Sequence, residues 1–204
     1  MPRPKSLTEA DLAAAALAVI DRDGLEALSM RALAEELSFG VMSLYRYVSD
    51  RRQVERMVVD RVLANIDLTP PPRMSWTKRI VLFADRMRAA VGAHPGVVPL
   101  LIRHRNDCAG VARCVEALLA ALADGGINGR QRVVAVRALA AYINGALIAQ
   151  AEGPLQGAGT QALAALDAAQ FPLLVEAARS ASRVAPEDEF HEGLALLLRG
   201  LAPA

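Results

Sequence analysis

Between Ser29 and Val54 the apolar residues follow two successive helical periods separated by a sharp corner. The first stripe repeats at i, i+3, i+4 and i+7 and comprises Met30, Leu33, Ala34 and Leu37. The second repeats at i, i+3 and i+7 and comprises Val41, Leu44 and Val48. Gly40 lies between them, where we expect a tight turn that glycine accommodates without steric cost. The pattern predicts a helix-turn-helix, and a plain helical hairpin in a larger bundle is the alternative.

The second helix would expose polar and aromatic groups once its stripe is buried. The outward residues are Met42, Ser43, Tyr45, Arg46 and Tyr47. A hydroxyl, two phenols and a guanidinium suit the base edges and phosphates of a nucleic-acid groove, whereas an ordinary solvated helix face more often carries Glu and Lys. These residue types favour contact with nucleic acid.

A helix is also predicted ahead of this pair. Thr8 can cap it, Asp11 stands in its first turn, and Gly24 ends it. The preceding segment 2–5 contains two prolines and two cations, so it is not helical. We expect either a mobile arm whose Lys5 reaches the DNA or a disordered terminus with incidental charge.

A further helix follows the pair at once. Ser49 or Asp50 can cap it, and apolar residues at helical spacing face inward along it. Its other positions carry Arg51, Arg52, Arg56 and Arg61. The arginines at the start of this helix therefore lie beside the second helix of the pair.

The run LAEELSFGVMSLYRYVSDRRQV resembles the N-terminal domain of the tetracycline-repressor (TetR) family of transcriptional regulators, over about residues 8 to 60. The resemblance implies DNA-contacting roles for residues on three helices. Arg31 would approach the backbone or a base, Ser43 and Tyr47 would hold phosphates, and Arg51 would hold a phosphate at the start of the next helix. Tyr45 and Arg46 would lie at or in the major groove.

The sequence departs from the family pattern at a few of these positions. Family members commonly have glycine where Ser38 stands, histidine where Tyr47 stands and lysine where Arg51 stands. Tyrosine can still donate to a phosphate, and Arg51 keeps the charge. The departures therefore affect the identity of the operator more than the function.

Composition supports a helical protein but gives no global signal for DNA binding. Of the 204 residues, 53% are hydrophobic and only 4% aromatic, which indicates a core of Ala, Leu and Val. The net charge is +1, and residues 1–65 hold nine Lys and Arg against ten Asp and Glu. The evidence for DNA binding is therefore the position of the arginines and not their number.

From the proline run 70–72 onwards the patterns remain helical, apart from the glycine-rich segment 153–159, which is predicted to be a mobile loop. We therefore predict an all-α protein with two domains. Residues 1–65 form a three-helix helix-turn-helix domain with a connecting helix. Residues 66–204 form a helical-bundle domain for effector binding and dimerisation.

Two late helices are candidates for a dimer interface. A helix over about residues 130–152 carries small residues every four positions, and the last helix carries a leucine stripe. The resemblance implies that two such helices pack against their symmetry mates, and packing within the chain is the alternative. The predicted interface residues are Ala141, Gly145, Ala149, Leu194, Leu197, Leu198 and Leu201.

Apolar helix faces in the second domain predict a pocket for a hydrophobic or aromatic small molecule, with His104 and Asn144 among the few orienting polar groups. The alternative is that these residues simply fill the core. The predicted lining is Phe83, Met87, Val91, Leu101, His104, Leu119, Leu122, Tyr142, Ile143, Asn144 and Leu147.

Enzyme and membrane classes find little support. The sequence contains no G-x-S-x-G, P-loop, G-x-G-x-x-G or H-E-x-x-H motif, so we expect neither catalysis nor a cofactor. His191-Glu192 with Glu187 could form half a metal site, but acids at a helix start are usually solvated, and we expect no metal. Acids interrupt the early apolar stretch, and the apolar runs fall short of a membrane span, which predicts a cytoplasmic protein.

We therefore predict a homodimeric repressor that binds a pseudo-palindromic operator and is released when a small hydrophobic effector alters the spacing of its two DNA-reading domains. The alternative is a DNA-binding dimer that senses no ligand and is controlled by a protein partner or by thiol redox state. Cys108 and Cys114 fit reduced cytosolic thiols better than a disulfide or a zinc site, and a thiol sensor is the alternative for them.

Overall fold

The computed structural model describes residues 7–201, so the predicted DNA contact of Lys5 lies outside the described residues. Within this range there is no β-strand, and the all-α prediction is confirmed. The α-helices are α1 (Glu9–Asp23), α2 (Met30–Glu36), α3 (Val41–Leu44), α4 (Arg51–Ala64), α5 (Trp76–Gly92), α6 (Val98–Arg103), α7 (Ala109–Asp124), α8 (Gly129–Glu152), α9 (Ala158–Ala164), α10 (Pro172–Ala181) and α11 (Pro186–Leu201).

The chain packs as two compact units. The first contains the residues up to Thr69 together with Asp85–Ala117, and the second contains Pro70–Ala84 together with the residues from Leu118 onwards. These packing units do not follow the predicted domain boundary at residue 65. The end of α5, all of α6 and the first half of α7 pack with α1 to α4. The two-domain division by sequence stays a prediction.

In the first unit, α1 packs against α4. The Thr8 hydroxyl accepts from the N–H of Asp11 at 3.2 Å, and the Asp11 carboxylate accepts from the N–H of Thr8 at 3.0 Å. This reciprocal capping box begins α1 where the sequence predicts it. Leu12 and Ile20 of α1 and Val58 of α4 are buried in the shared core. Helices α1 and α4 therefore share a packed apolar core.

The corner between α2 and α3 is formed by Ser38 and not by Gly40. Ser38 has a φ of 54°, whereas Gly40 has a φ of −73°, which any residue can adopt. The N–H of Phe39 donates to the carbonyl of Ala34 at 2.8 Å, and that of Ser38 donates to Glu35 at 3.1 Å, so α2 ends in a Schellman motif. The prediction that Gly40 makes the turn is wrong, because α2 ends early enough for the left-handed position to fall on Ser38.

Asp60 of α4 joins that helix to the start of α7. Its carboxylate accepts a hydrogen bond from the N–H of Gly110 at 2.5 Å and from Cys108 Sγ at 3.2 Å. A Cβ on Gly110 would lie 2.9 Å from Asp60 Oδ1 and 3.0 Å from Leu63 Cβ. The close approach of α7 to α4 therefore requires glycine at residue 110.

In the second unit, α8 packs on α11, and α9 packs on α10. Gly125, near the end of α7, lies against the indole of Trp76, where an added Cβ would be 2.6 Å from a ring carbon. The loop predicted over 153–159 is partly helical, since α9 begins at Ala158. The start of α9 was not predicted because glycines and small residues dominate the segment.

Candidate functional site

The α3 segment presents its predicted DNA-contacting residues to solvent. Leu44 and Val48 are fully buried beneath it, while Met42 is 81% exposed and Tyr45 48% exposed. Arg46 is also exposed, and Gly40 precedes it on the same surface, whereas Ser43 and Tyr47 are half-buried. Helix α3 is only four residues long, and residues 45–47 follow it as a turn. The segment thus combines an apolar underside with an exposed surface of mixed chemistry.

Two predicted phosphate-contacting arginines have carboxylate partners. Arg31 Nε pairs with Glu35 Oε1 at 3.1 Å on the exposed surface of α2. Arg51 Nε pairs with Glu55 Oε1 at 2.9 Å, and Arg51 Nη2 donates to the carbonyl of Leu25 at 3.2 Å. The Arg51 side chain stays 37% exposed, so its guanidinium is oriented and still accessible.

Glu55 lies beside the predicted DNA-contacting Arg51, although nothing in the sequence singled it out. Its side chain is 3% exposed, and its Oε1 atom also accepts from Arg103 Nη1 at 2.9 Å. Its Oε2 atom is bonded to His104 Nε2 at 2.9 Å. Burial alone would raise the pKa of Glu55, but the hydrogen bonds from His104 and Arg103 and the charges of both arginines outweigh it and hold the pKa below its ordinary value.

His104 is completely buried and has a protein partner on each ring nitrogen. The second partner is Asp107, whose Oδ1 lies 3.2 Å from His104 Nδ1. Asp107 Oδ2 in turn pairs with Arg56 Nη1 at 3.4 Å. Arg56 therefore joins this network, and His104 has no free ring nitrogen for the orienting role predicted for it.

The other predicted effector residues divide between the two units. Met87, Val91 and Leu101 belong with His104 to the first unit. Phe83, Leu119, Leu122, Tyr142, Ile143, Asn144 and Leu147 belong to the second unit. Most of them are buried, with Met87, Leu119, Tyr142 and Asn144 half-buried. Their convergence on one cavity stays a prediction.

Tyr142 is used to join α8 to α11. Its hydroxyl donates to the carbonyl of Phe190 at 2.8 Å, and the two rings lie 5.9 Å apart. Burial, and next the charge of Glu189, raises the pKa of this phenol. The hydroxyl is therefore a structural contact within the second unit.

A groove of about 680 Å³ opens within the first unit between α1, α4 and α5. Its walls include Leu17, Met57 and Ala90, with Arg61 and His94 among the polar groups. None of the predicted effector residues lines it. This groove could not be predicted from the sequence, because its walls come from three separate helices.

The predicted interface residues separate into two groups. Ala141, Gly145 and Ala149 form an exposed small-residue stripe on α8, and nothing within 4 Å would meet a Cβ added to Gly145. On α11, Leu194 and Leu198 are buried in the chain's own core, and Leu197 and Leu201 are half-buried. Leu196, absent from the prediction, is 65% exposed.

The exposed side of α8 is unusually apolar. Val133 and Val134 are both 58% exposed. An 18-residue window of this helix has a mean hydropathy of 1.5, enough by length and composition for a membrane span, and only 22% of it is buried. Further apolar side chains are exposed on and between α9 and α10, namely Leu163, Leu166, Phe171, Leu173 and Leu174.

Residues 69–204 match the family model of the tetracyclin-repressor-like C-terminal domain. A helix-turn-helix transcriptional regulator from Saccharopolyspora erythraea is 30% identical over 144 residues, which span 71% of this chain and 61% of that regulator. The class E tetracycline repressor from Escherichia coli is 28% identical over 195 residues, spanning 94% of this chain and 89% of the repressor.

Among solved structures, the TetR family protein ActR of Streptomyces coelicolor in complex with actinorhodin superposes with a TM-score of 0.82 at 25% identity. The superposition covers 97% of this chain and 96% of ActR. The resemblance seen in the N-terminal motif is thus matched along the whole chain. The protein belongs to the TetR family of transcriptional regulators, which are typically repressors and not enzymes.

Proposed function

We propose that this chain is a cytoplasmic homodimeric repressor that reads a pseudo-palindromic operator with the surface of α3. The observation that carries the proposal is the exposure of Met42, Tyr45 and Arg46 above a buried Leu44. Large exposed apolar and aromatic side chains cost free energy in water, so their presence beside an exposed arginine favours a surface that is covered in the complex.

We propose that a second copy of the chain packs against the exposed face of α8. Val134, Ala141, Gly145 and Ala149 lie along it, with the exposed Arg137 between the first two, and Leu196 supplies a further exposed apolar side chain on α11. Small residues allow two helices to approach closely, and burying the apolar stripe offsets the low helix propensity of Gly145. In this proposed interface Leu196 takes the place of Leu194 and Leu198, which are buried within the chain.

The effector that we propose is a small hydrophobic molecule bound in the C-terminal domain. Two relatives support this class of ligand, since one is named as a tetracycline repressor and the other is bound to actinorhodin. Release requires that the effector bind the DNA-free conformation more tightly than the DNA-bound one. Operator DNA must then weaken effector binding by the same factor.

Control by thiol oxidation receives less support. Burial raises the pKa of Cys108, and it raises that of Cys114 to about 11. Both thiols therefore remain protonated at neutral pH, and the protonated form is a poor nucleophile toward oxidants. Regulation by a partner protein remains the second candidate, and binding of a small molecule that releases DNA would contradict it.

Enrichment of DNA from a random duplex library by the full-length protein tests the proposed function. We expect a pseudo-palindrome whose half-sites lie about 34–36 Å apart, or a multiple of that, because two reading surfaces must enter successive major grooves. A scrambled duplex of equal length serves as the control for phosphate binding alone. Enrichment of no sequence, or binding that is equal for both duplexes, would contradict the proposal.

A further inference from the structure

Among the described residues, Met42 is the most exposed of the large apolar side chains, at 81%. It is the second residue of α3 and lies two positions before Leu44, which is fully buried. Two positions along a helix turn a side chain by about 200°, so the burial of Leu44 directs Met42 away from the core. Met42 therefore projects from the surface that we expect to face the operator.

Met42 differs in chemistry from the two other large side chains that are exposed on this surface. Tyr45 carries a hydroxyl and Arg46 carries a guanidinium, and both groups can donate hydrogen bonds to base edges. The thioether of Met42 has no donor, and its sulfur is a weak acceptor. Met42 thus offers a groove apolar surface without a strong hydrogen bond.

The major groove contains one apolar group, the C5-methyl group of thymine. The other groups along the base edges are hydrogen-bond donors and acceptors, which lose water without gaining a partner when an apolar side chain covers them. Removal of one methyl group from water instead favours binding, by about fourfold. Contact with Met42 therefore favours thymine over the other three bases.

The residues around Met42 leave room for such a contact. Gly40, two residues earlier, is exposed, and its φ of −73° does not require glycine. A Cβ added to Gly40 would meet Ser43 Oγ at 3.7 Å, which is an ordinary contact. The fold would thus accept a side chain at residue 40, and its absence leaves little bulk beside Met42.

We propose that Met42 is a specificity-determining residue that reads the C5-methyl group of one thymine in each operator half-site. The proposal rests on the proposed function, in which the surface of α3 enters the major groove. It adds the base that this side chain selects, and the selection is made by apolar contact and not by a hydrogen bond.

Deoxyuridine tests the proposal directly, because it lacks only the C5-methyl group of thymidine and pairs in the same way. Each thymine of the duplex enriched by the wild type is replaced in turn, and the affinity of the full-length protein is measured. We expect one thymine per half-site at which the replacement lowers affinity about fourfold, and about sixteenfold when both half-sites are changed. Thymines outside the half-sites are the controls and should tolerate the replacement.

Variants at residue 42 assign the effect to this side chain. Met42→Ala should abolish the deoxyuridine penalty, whereas Met42→Leu, which keeps a large apolar side chain, should retain it. Leu173→Ala is the matched control, because Leu173 is 78% exposed on α10 and its truncation should leave the penalty unchanged. Thermal unfolding of each variant fixes the folded fraction before affinities are compared.

The outcomes separate this proposal from the function on which it rests. A deoxyuridine penalty that is equal in the wild type and in Met42→Ala overturns the thymine-reading role while sequence-specific binding stands. Enriched half-sites in which no thymine shows a penalty overturn it as well. Failure of the wild type to enrich any sequence would instead contradict the proposed function.

Discussion

Gly193 of α11 lies directly against the phenol of Tyr142 on α8, and a Cβ at residue 193 would come within 2.8 Å of the ring carbon Cζ. Of these two glycines, Gly193 and not Gly145 is the one in close contact with the neighbouring helix. Tyr142 also donates to the Phe190 carbonyl at 2.8 Å, so the ring cannot move aside without losing a hydrogen bond.

We expect Gly193→Ala to destabilise the fold by about 1–3 kcal/mol through overpacking against Tyr142. Gly200→Ala is the matched control, because nothing within 4 Å would meet a Cβ there. That control should be neutral or stabilising by up to about 1 kcal/mol, since alanine favours helix. Urea unfolding of both variants gives the comparison, and equal stabilities would refute the close approach.

We expect Ser38→Gly to stabilise the protein by about 1 kcal/mol, because a residue with a Cβ pays a steric penalty at a φ of 54°. Gly40→Ala should change the free energy of unfolding little, since its φ of −73° suits alanine. Chemical denaturation checks both. A destabilised Ser38→Gly variant would show that the serine side chain contributes more than the strain costs.

The helix-turn-helix could be predicted from the sequence because its determinants are local. The capping box of Thr8 and Asp11 and the buried Leu44 and Val48 depend on spacings that are visible in a few residues. The turn at Ser38 was missed because glycine at 40 is the stronger local turn signal. The actual corner depends on where the hydrogen bonds of α2 end.

The burial of Glu55 could not be predicted, because a glutamate among arginines on an amphipathic helix ordinarily faces solvent. It is buried only because Arg103 and His104, which lie 48 and 49 residues further along the chain, bond to its carboxylate. On α11 the periodicity gave a leucine stripe without indicating which part packs inside the chain. Leu194 and Leu198 of that stripe are buried inside the chain, whereas Leu196, which lies off the stripe, is the exposed leucine.

Acid should lower the free energy of unfolding of the wild type, because Glu55 becomes protonated. Its pKa in the folded chain lies below the ordinary value of about 4.5, so the charged carboxylate stabilises the fold at neutral pH. This contribution is complete above about pH 4.5 and is lost as the pH falls through the folded pKa. Glu55→Gln should cost about 1–3 kcal/mol near pH 7 and progressively less below pH 4.5.

Unfolding free energies measured between pH 7 and pH 3 test this expectation. Glu35→Gln, which removes an exposed carboxylate paired with Arg31, is the control and should leave the pH profile close to that of the wild type. If the difference in unfolding free energy between the wild type and Glu55→Gln stayed constant from pH 7 to pH 3, a titrating carboxylate would be ruled out as its source.

Arg46 and Arg51 should affect DNA binding in different ways. Arg46→Ala removes the exposed arginine that we propose to enter the major groove, and it should cost about 1–3 kcal/mol on the enriched duplex while relaxing sequence preference. Arg51→Ala should weaken binding to enriched and scrambled duplexes alike and flatten the salt dependence. Titrations of both duplexes at several salt concentrations distinguish the roles, and identical effects of the two variants would contradict the assignment.

Leu196→Asp should give a folded monomer. The side chain is 65% exposed in the protomer, so the charge costs little there but would be buried unpaired against a second copy. Ile102→Asp, an equivalent change at an exposed apolar residue of the first unit, should remain dimeric. Light scattering with circular dichroism provides the readout, and a dimeric Leu196→Asp protein would remove α11 from the proposed interface.

The apolar side of α8 also bears on how long a newly made chain survives. With only 22% of its 18-residue window buried, a solitary protomer exposes apolar surface, and we expect such surface to favour capture by chaperones and proteases. Pairing would cover that surface, and the thermal midpoint would then rise with protein concentration. Turnover would be fastest when few copies are present, so the cell could clear residual regulator quickly once synthesis stops.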